Sequence, residues 1–292
     1  MRISIICPLY NGEKYIESLH SALNLQEKVQ VESIEYVLTE SGDNTEEVLK
    51  KINATYKKID KGEFSHSKTR EDAAFRAPGD IIVFITQDII IKDKLWLYNL
   101  TNPIVEGICE ASFSRQICDN NTIEKYIREK NYPSESRVVS KDDINRLGFR
   151  TFFYSDASSA IRKDVFQELG GYDGKRLIIN EDMYIAYKII NKGYRIRYCA
   201  ESEVIHSHIF TLKQLYTRYY DTGVFLKQND YFLKHKANEA GMGLLKHVLK
   251  RALEEKNFPV ILNVVPNFGA RFLGSHFGKK SVKNDKEIRN SC

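Results

Sequence analysis

The amino-acid sequence predicts an α/β protein with a mostly parallel central sheet, helices on both faces of that sheet and a helical C-terminal extension. Continuous apolar runs at residues 2–9, 35–39 and 80–85 predict buried parallel strands. Helix-period segments follow these runs, and such alternation is typical of a parallel sheet. Towards the C-terminus only helical periodicity remains. We therefore expect an α/β domain over residues 1–210 and a helical extension over residues 211–292.

The individual elements follow from local signals. The first helix carries Ile16, Leu19 and Leu23 on one stripe, and Asn44 with Glu47 resembles a helix-opening box. The segment 89–149 shows no regular pattern. Later segments predict helices over 68–76, 163–169 and 181–191, a strand over 194–199, and in the extension an apolar helical stripe of Leu244, Leu245, Val248, Leu249 and Ala252.

Composition and motifs exclude several classes of protein. With 292 residues, 42% of them apolar and 28% charged, the chain can bury a sizeable core. Its apolar runs are strand-sized, and the run 3–9 is too short for a signal peptide, so we expect no membrane-spanning helix and a cytoplasmic location. The sequence lacks dinucleotide, phosphate-loop, nucleophile-elbow and zinc-protease motifs. Its five scattered cysteines are typical of reduced thiols.

Positive charge is concentrated in the C-terminal extension. Residues 211–292 carry 15 Lys and Arg against 7 Asp and Glu, whereas the preceding residues carry 29 against 32. Such a basic segment favours partners that carry phosphate, such as an anionic lipid or a lipid-linked diphosphate, and it is equally typical of a solvated helical surface. Nucleic acid is not expected as a partner, because the extension matches no nucleic-acid-binding motif.

Several polar residues follow the predicted strands. Tyr10, Glu40 and Asp88 come at strand C-termini, and ligands of parallel sheets bind beyond those ends, so we expect these side chains at one rim. Asp88 with an imidazole from His206 or His208 suits Mg²⁺ or Mn²⁺ that holds a diphosphate. Taken alone, Asp88 is as typical of a turn cap, and a His-x-His pair more often has another role.

Glu181 and Asp182 open a predicted helix. Acidic residues favour the first turn of a helix because of its dipole alone. The alternative is that one of them is a general base at the rim of the pocket.

In their order along the chain, these motifs resemble those of family 2 glycosyltransferases of the GT-A fold, and more narrowly the bacterial rhamnosyltransferase-like branch. The similarity covers roughly residues 3–230. It is carried by Ile-Ile-Cys-Pro-Leu-Tyr-Asn-Gly at 5–12, Thr-Glu-Ser-Gly-Asp-Asn-Thr at 39–45, Phe-Ser-His-Ser-Lys-Thr-Arg at 64–70, Thr-Gln-Asp at 86–88, Gly-Gly-Tyr-Asp at 170–173, Glu-Asp at 181–182 and His-Ser-His at 206–208. Glu40 and Glu71 depart from the Asp and Asn that the family usually has there.

The resemblance implies an enzyme of cell-surface polysaccharide synthesis whose catalytic domain is 1–210. It would transfer a hexose, L-rhamnose from dTDP-β-L-rhamnose, with inversion onto a hydroxyl of a saccharide or polyprenyl-diphosphate-linked acceptor. Asp182 would be the base, and Asp88 with His206 or His208 would hold Mg²⁺ or Mn²⁺. The substrate-binding residues that the resemblance implies are Pro8, Tyr10, Asn11, Glu40, Ser41, Arg70, Gln87 and Glu181.

Two partners and three other functions stay open. The basic extension could lie against the inner face of the membrane, and the chain could form a homodimer. The same family also contains enzymes with UDP-hexose donors, and a non-catalytic nucleotide-sugar-binding protein would share the fold. A nucleotidyltransferase is the weakest alternative, because the sequence lacks the Gly-rich loop with Arg and Lys that such enzymes use.

Overall fold

The computed structural model describes residues 1–235 and 238–282, and their contacts group them into two units. Unit 1 contains Met1–Asp119, Tyr132–Asn145 and Thr151–His206. Unit 2 contains Asn120–Asn131, Arg146–Arg150 and the described residues from Ser207 onward. Residues 236–237 and 283–292 of the predicted extension lie outside the described residues. The single division at residue 210 stays a prediction, and no sequence pattern indicates that 120–131 groups with the C-terminal helices.

Eight strands form one mixed sheet in unit 1, in the order β3-β2-β1-β4-β7-β5-β8-β6. Neighbours within β3-β2-β1-β4 pair in parallel, as do β5 and β8, whereas β7 and β6 run antiparallel to their neighbours. This arrangement confirms the predicted mostly parallel sheet. The strands are β1 Arg2–Leu9, β2 Gln30–Thr39, β3 Tyr56–Ile59, β4 Ile81–Ile85, β5 Ala111–Ile117, β6 Arg137–Val139, β7 Ser158–Arg162 and β8 Ile196–Ile205.

Helices connect most of these strands and continue to the C-terminal end of the described chain. Short 3-10 helices cover Lys141–Asp143, Gly148–Phe152 and Asp230–Lys234. The α-helices are α1 Glu13–Asn24, α2 Thr45–Lys51, α3 His66–Arg76, α4 Trp96–Val105, α5 Ile123–Asn131, α6 Ile144–Leu147, α7 Lys163–Glu168, α8 Glu181–Lys192, α9 Leu212–Gln228, α10 Asn238–Glu254 and α11 Phe258–Ser281. No helix among the described residues has the length and apolar character needed to cross a membrane.

The core of unit 1 explains why its first elements were predictable. The apolar run of β1 is almost completely buried, and the stripe Ile16, Leu19 and Leu23 of α1 packs against it with at most 3% exposure. β4 is buried at all five positions, as its continuous apolar sequence predicts. The sole tryptophan, Trp96 of α4, is fully buried in the same core.

Unit 2 is a group of helices around a smaller core. Val248 and Ala252 of α10 pack with Val260 and Val264 of α11 and with α5. The predicted apolar stripe of α10 is therefore confirmed at Val248 and Ala252. It is wrong at Leu249, which is 39% exposed. The error arises because only a narrow side of α10 contacts the neighbouring helices, which leaves Leu249 at the edge of the apolar stripe exposed.

Helices α9 and α11 approach each other through glycines. A Cβ added at Gly223 or Gly274 would overlap a backbone carbonyl of the opposite helix, and at Gly278 it would overlap the carbonyl oxygen of Tyr220. Backbone atoms cannot swing away as a flexible side chain can. The close packing of these two helices therefore depends on the absence of a side chain at these positions.

We expect Gly278→Ala to destabilise unit 2 by roughly 3 kcal/mol, because the helices must separate to admit the methyl group. Gly269→Ala is the matched control in the same helix, since no atom lies within 4 Å of its Cβ position; alanine there should stabilise the helix by about 0.5–1 kcal/mol. Hydrogen exchange of the α11 amides measures both effects. Equal protection of α11 in the two variants would contradict the glycine contact.

Candidate functional site

The rim predicted from the sequence lies at the carboxyl ends of three adjacent strands of unit 1. β1 pairs in parallel with β2 through Leu9 and Leu38, and with β4 through Ile6 and Phe84. The loops that follow these strands therefore leave the sheet at the same edge. Tyr10, Glu40 and the Thr-Gln-Asp sequence at 86–88 stand in these three loops. Pro8 is the second-last residue of β1, directly before the rim.

The first two loops are joined by the side chains of Asn11 and Ser41. The Asn11 backbone N–H donates to Ser41 Oγ at 3.0 Å, and the Gly42 N–H donates to Asn11 Oδ1 at 2.9 Å. Asn11 has a φ of 49°, a left-handed conformation that asparagine tolerates better than most residues. Both side chains thus set the shape of the rim, and their contact with a substrate stays a prediction.

Gln87 holds the third loop to the first. Its Oε1 accepts the Tyr10 N–H at 2.9 Å, and its Nε2 donates to the Tyr10 carbonyl at 3.0 Å. The ring of Tyr10 is 48% exposed, with Lys61 Nζ at 6.0 Å from its centroid. A fixed backbone with an exposed aromatic ring offers a flat surface to a planar ligand. Glu40 is also exposed at this rim.

Asp88 and His206 face each other at the rim. His206 Nε2 lies 3.5 Å from Asp88 Oδ1, and His206 is 9% exposed. Its Nδ1 lies 2.9 Å from Gln116 Oε1, and Gln116 Nε2 in turn donates to Ser155 Oγ at 2.8 Å. With the Gln116 oxygen as the acceptor, Nδ1 donates this hydrogen bond, and Nε2 is the ring nitrogen that faces Asp88.

This pair fits a divalent cation. A carboxylate oxygen and an oriented imidazole nitrogen are suitable ligands for Mn²⁺, and the carboxylate also suits Mg²⁺. His206 and Asp88 belong to unit 1, whereas His208 belongs by its contacts to unit 2. The assignment of either histidine as a metal ligand stays a prediction.

Arg70 and Glu181 form a buried ion pair. Arg70 is 2% exposed and Glu181 is 8% exposed. Arg70 Nη1 lies 3.5 Å from Glu181 Oε1 and donates to the His66 carbonyl at 2.9 Å. Burial by itself would lower the pKa of Arg70, but the charges of Glu181 and Asp156 outweigh it and raise this pKa. Arg70 thus holds Glu181, and the contact of either residue with a substrate stays a prediction.

Two buried carboxylates near this pair, Asp156 and Glu71, were not among the predicted site residues. Asp156, 2% exposed, accepts from Ser159 Oγ at 2.8 Å and from Tyr172 Oη at 2.7 Å. Glu71 accepts the N–H groups of Tyr172 and Gly174 at 2.6 and 3.1 Å and so holds the Gly-Gly-Tyr-Asp turn. Only the departure at Glu71 from the usual family residue could have drawn attention to this network.

Cys7 is fully buried near the end of β1. Burial raises the pKa of the Cys7 thiol; the positive charge of Arg70 opposes this shift and the negative charge of Asp88 adds to it. Both charges therefore lie near the end of β1.

Asp182 stands in the first turn of α8, next to Glu181. Its Oδ1 accepts the Met183 N–H at 2.7 Å, which fixes one carboxylate oxygen. Asn180 precedes the helix with a φ of 58°. The Asn180 amide nitrogen and the hydroxyls of Thr39 and Thr86 are buried without a hydrogen-bond partner among the described residues. A buried polar group without a partner costs about 1–3 kcal/mol, and a hydrogen bond to water or to a bound polar ligand would remove this cost.

Comparison with known sequences identifies similar proteins along nearly the whole chain. The family model described as Glycosyl transferase family 2 matches residues 4–170 of this chain. The O-antigen chain rhamnosyltransferase RfbN of Salmonella typhimurium is 32% identical over 96% of this chain and 90% of its own length. The O-antigen chain rhamnosyltransferase WbaN of Salmonella anatum is 32% identical over 94% of this chain and 89% of its own. These matches confirm the family predicted from the motifs.

Solved structures show the same fold. S. aureus TarS 1-349 in complex with UDP has a TM-score of 0.55 and 18% identity, with 96% of this chain and 91% of that chain covered. The mannosyltransferase PcManGT from Pyrobaculum calidifontis, in complex with GDP-Man and Mn²⁺, has a TM-score of 0.55 and 14% identity over 99% of this chain and 77% of that one. At these identities the likeness shows the fold alone, and it confirms the predicted fold class.

Proposed function

Because the chain belongs to glycosyl transferase family 2, we propose that it transfers L-rhamnose from a nucleotide donor onto a hydroxyl of a cell-surface polysaccharide precursor. The observation that carries the choice of sugar is the 32% identity, over 96% of the chain, to a protein named an O-antigen chain rhamnosyltransferase. The rim of unit 1 supports the reaction class, since it combines an exposed aromatic ring with a carboxylate–imidazole pair.

The proposed donor is dTDP-β-L-rhamnose, bound over the ends of β1 and β2. The exposed ring of Tyr10 stacks on the nucleobase, and its backbone is held for this by Gln87. Glu40 accepts hydrogen bonds from the nucleoside, while Pro8, Asn11 and Ser41 shape the loop beneath it. The unpartnered hydroxyl of Thr39 at the same edge supports a polar ligand there.

Asp88 and His206 are proposed to hold Mg²⁺ or Mn²⁺, with His208 as a further ligand. The bound cation would neutralise the charge of the diphosphate leaving group. Gln116 orients the imidazole of His206, so that its Nε2 points towards Asp88 before any cation arrives.

Asp182 is proposed to take the proton from the acceptor hydroxyl as that oxygen attacks the anomeric carbon. Such a base contributes about 10²–10⁴-fold in rate. The bond from the hydroxyl oxygen to the anomeric carbon forms as the bond to the diphosphate breaks, so one displacement converts a β donor into an α-linked product. Glu181, held by Arg70, fixes the start of α8 and thereby positions Asp182.

The donor can be identified by thermal unfolding of the purified chain with dTDP-rhamnose, UDP-glucose or GDP-mannose, each with Mn²⁺ or with a chelator. A ligand that binds only the folded state raises the unfolding temperature. We expect the largest rise with dTDP-rhamnose, and we expect the chelator to remove most of it. A larger rise with a UDP-hexose would contradict the choice of rhamnose, and equal rises with and without chelator would contradict the cation.

Product analysis then separates an enzyme from a binding protein. The purified chain is incubated with dTDP-rhamnose, Mn²⁺ and a panel of saccharide and polyprenyl-diphosphate-linked acceptors. We expect one acceptor to gain an α-linked rhamnose. Donor binding without any transfer to the panel would favour the non-catalytic alternative.

A further inference from the structure

Helix α11 of unit 2 has an unusual outward face. One side packs inward through Val260, Val264, Asn267, Gly274 and Gly278. The opposite side is apolar and open, and we call it the α11 stripe. The stripe consists of Phe258 (67% exposed), Leu262 (79%), Val265 (79%), Phe272 (69%) and Leu273 (47%).

The stripe lacks the charged residues that a solvent-facing helix surface normally carries. Between residues 258 and 278 the only charged residue is Arg271. Arg271 is directed away from the stripe, because its guanidinium bonds Glu124 Oε1 at 2.7 Å and Tyr219 Oη at 2.6 Å. A surface helix in water places polar side chains opposite its core. A contiguous exposed apolar patch of this kind instead marks an interaction surface.

Charge at the two ends of the stripe indicates the kind of partner. Lys256 precedes α11, and Lys279 and Lys280 close it. The neighbouring acidic residues are paired within unit 2: Glu254 with Arg251 at 2.8 Å, and Glu255 with Lys125 at 2.6 Å. An apolar stripe with cationic ends is complementary to an anionic lipid surface. Its lysine side chains can extend to the phosphate groups while its apolar side chains enter the acyl boundary.

A second copy of the chain fits the stripe less well. Two stripes packed antiparallel about a two-fold axis would bring Lys256 of one copy towards Lys279 and Lys280 of the other. Like charges would then meet at both ends of the contact, with no acidic residue on the stripe to balance them. The charge pattern therefore favours an anionic lipid surface over self-association.

We propose that the α11 stripe binds an anionic membrane surface, with the helix lying in the plane of the interface. This inference goes beyond the proposed reaction, because it requires neither donor nor turnover. It also specifies how unit 2 would meet a lipid-linked acceptor. The basic extension expected from the sequence thus acquires a defined binding face.

The test is co-sedimentation of the full chain with vesicles of phosphatidylcholine alone or with added phosphatidylglycerol. We expect binding to the anionic vesicles, and a loss of roughly tenfold or more in the double variant Leu262→Glu/Val265→Glu, which places charge on the stripe. The matched control is Leu25→Glu/Val105→Glu, which changes two exposed apolar residues of unit 1 that are 54% and 49% exposed. The control should bind as the wild type does.

Further measurements keep the outcome decisive. Because Leu262 and Val265 are 79% exposed, the glutamate variant should unfold at the wild-type temperature, and Leu262→Ser/Val265→Ser is a milder second variant. Absence of binding to anionic vesicles, or an equal loss in the control, would overturn the proposal. So would a dimer in sedimentation equilibrium that only the stripe variants dissociate. Vesicle binding without glycosyl transfer would leave the inference standing while the proposed function fails.

Discussion

Replacement of Asp182 by Asn should reduce turnover by roughly 100-fold or more while donor binding stays close to that of the wild type. Asparagine keeps the shape of the side chain, and its Oδ1 can still accept the Met183 N–H that fixes Asp182 at 2.7 Å. The amide cannot take a proton from the acceptor hydroxyl. The fall should therefore appear in turnover rather than in donor affinity.

Steady-state kinetics and thermal shift with the nucleotide sugar separate these two effects. Asp164→Asn is the control, because Asp164 is an exposed carboxylate near the start of α7, paired with Arg162 and 66% exposed. It should leave both measurements unchanged. Turnover of Asp182→Asn at the wild-type rate would remove Asp182 from the role of base, and a parallel loss of donor binding would mean that Asp182 holds the donor instead.

Elements that are buried on both faces were predictable from the sequence, whereas those at the periphery were not. β1 and β4 are continuous apolar runs because they are interior strands whose side chains are buried on both faces of the sheet. The first half of β2 was missed, since Gln30, Glu32 and Ser33 alternate with apolar residues at the open end of the sheet. β8 was predicted to end at 199 but continues to Ile205, because Arg115, Gln116 and Ile117 of β5 pair with its second half after a register shift.

The segment 89–149 shows why pattern alone fails in other places. It contains α4, β5, α5, β6, the 3-10 helix Lys141–Asp143 and α6. Pro103 lies inside α4, and a proline is atypical of a helix interior, so this helix was not predicted. β5 carries the polar residues Ser112, Ser114 and Gln116 at buried positions, so its sequence lacks the continuous apolar run of a buried strand. These polar side chains are satisfied by partners distant in sequence, such as the Leu100 carbonyl for Ser112 at 2.6 Å. Such pairings exist only in the folded chain, so composition could not reveal them.

The candidate site likewise contains residues that could be predicted from the sequence and residues that could not. Tyr10, Glu40 and Asp88 could be placed at one rim because strand ends mark them in the sequence. The buried network could not be predicted, since Arg70 and Glu181 are 111 residues apart and neither stands in a pattern that links them. The local role of Gln87, which holds Tyr10 by two hydrogen bonds, likewise depends on the adjacency of β1 and β4.

Removal of the Arg70 guanidinium is expected to have the largest effect on stability. Arg70→Met keeps the length of the side chain but leaves the Glu181 carboxylate, 8% exposed, without its buried partner. Breaking one half of a buried pair costs about 3–5 kcal/mol. Urea unfolding followed by Trp96 fluorescence measures this loss in unit 1, because Trp96 is the sole tryptophan and is fully buried there.

The control for this variant lies in the same helix. Arg76→Met removes an exposed pair with Glu35, with 2.8 Å between Nη2 and Oε1, and such pairs contribute at most about 1 kcal/mol. The double variant Arg70→Met/Glu181→Gln should recover part of the stability, because it removes the uncompensated charge together with its partner. A loss in Arg70→Met no larger than in Arg76→Met would contradict a stabilising role of the buried pair.

The pH dependence of the Arg70→Met loss has a definite sign. Burial raises the pKa of Asp156 and the charge of Arg70 opposes this shift, so the variant should raise that pKa further. A carboxyl group whose pKa is higher in the folded state stabilises the fold below its unfolded pKa, and this contribution is lost as the pH rises through its folded pKa. The stability difference between Arg70→Met and the wild type should therefore grow as the pH rises through the folded pKa of Asp156. A difference that shrinks as the pH rises would show that Arg70 does not offset the charge of Asp156.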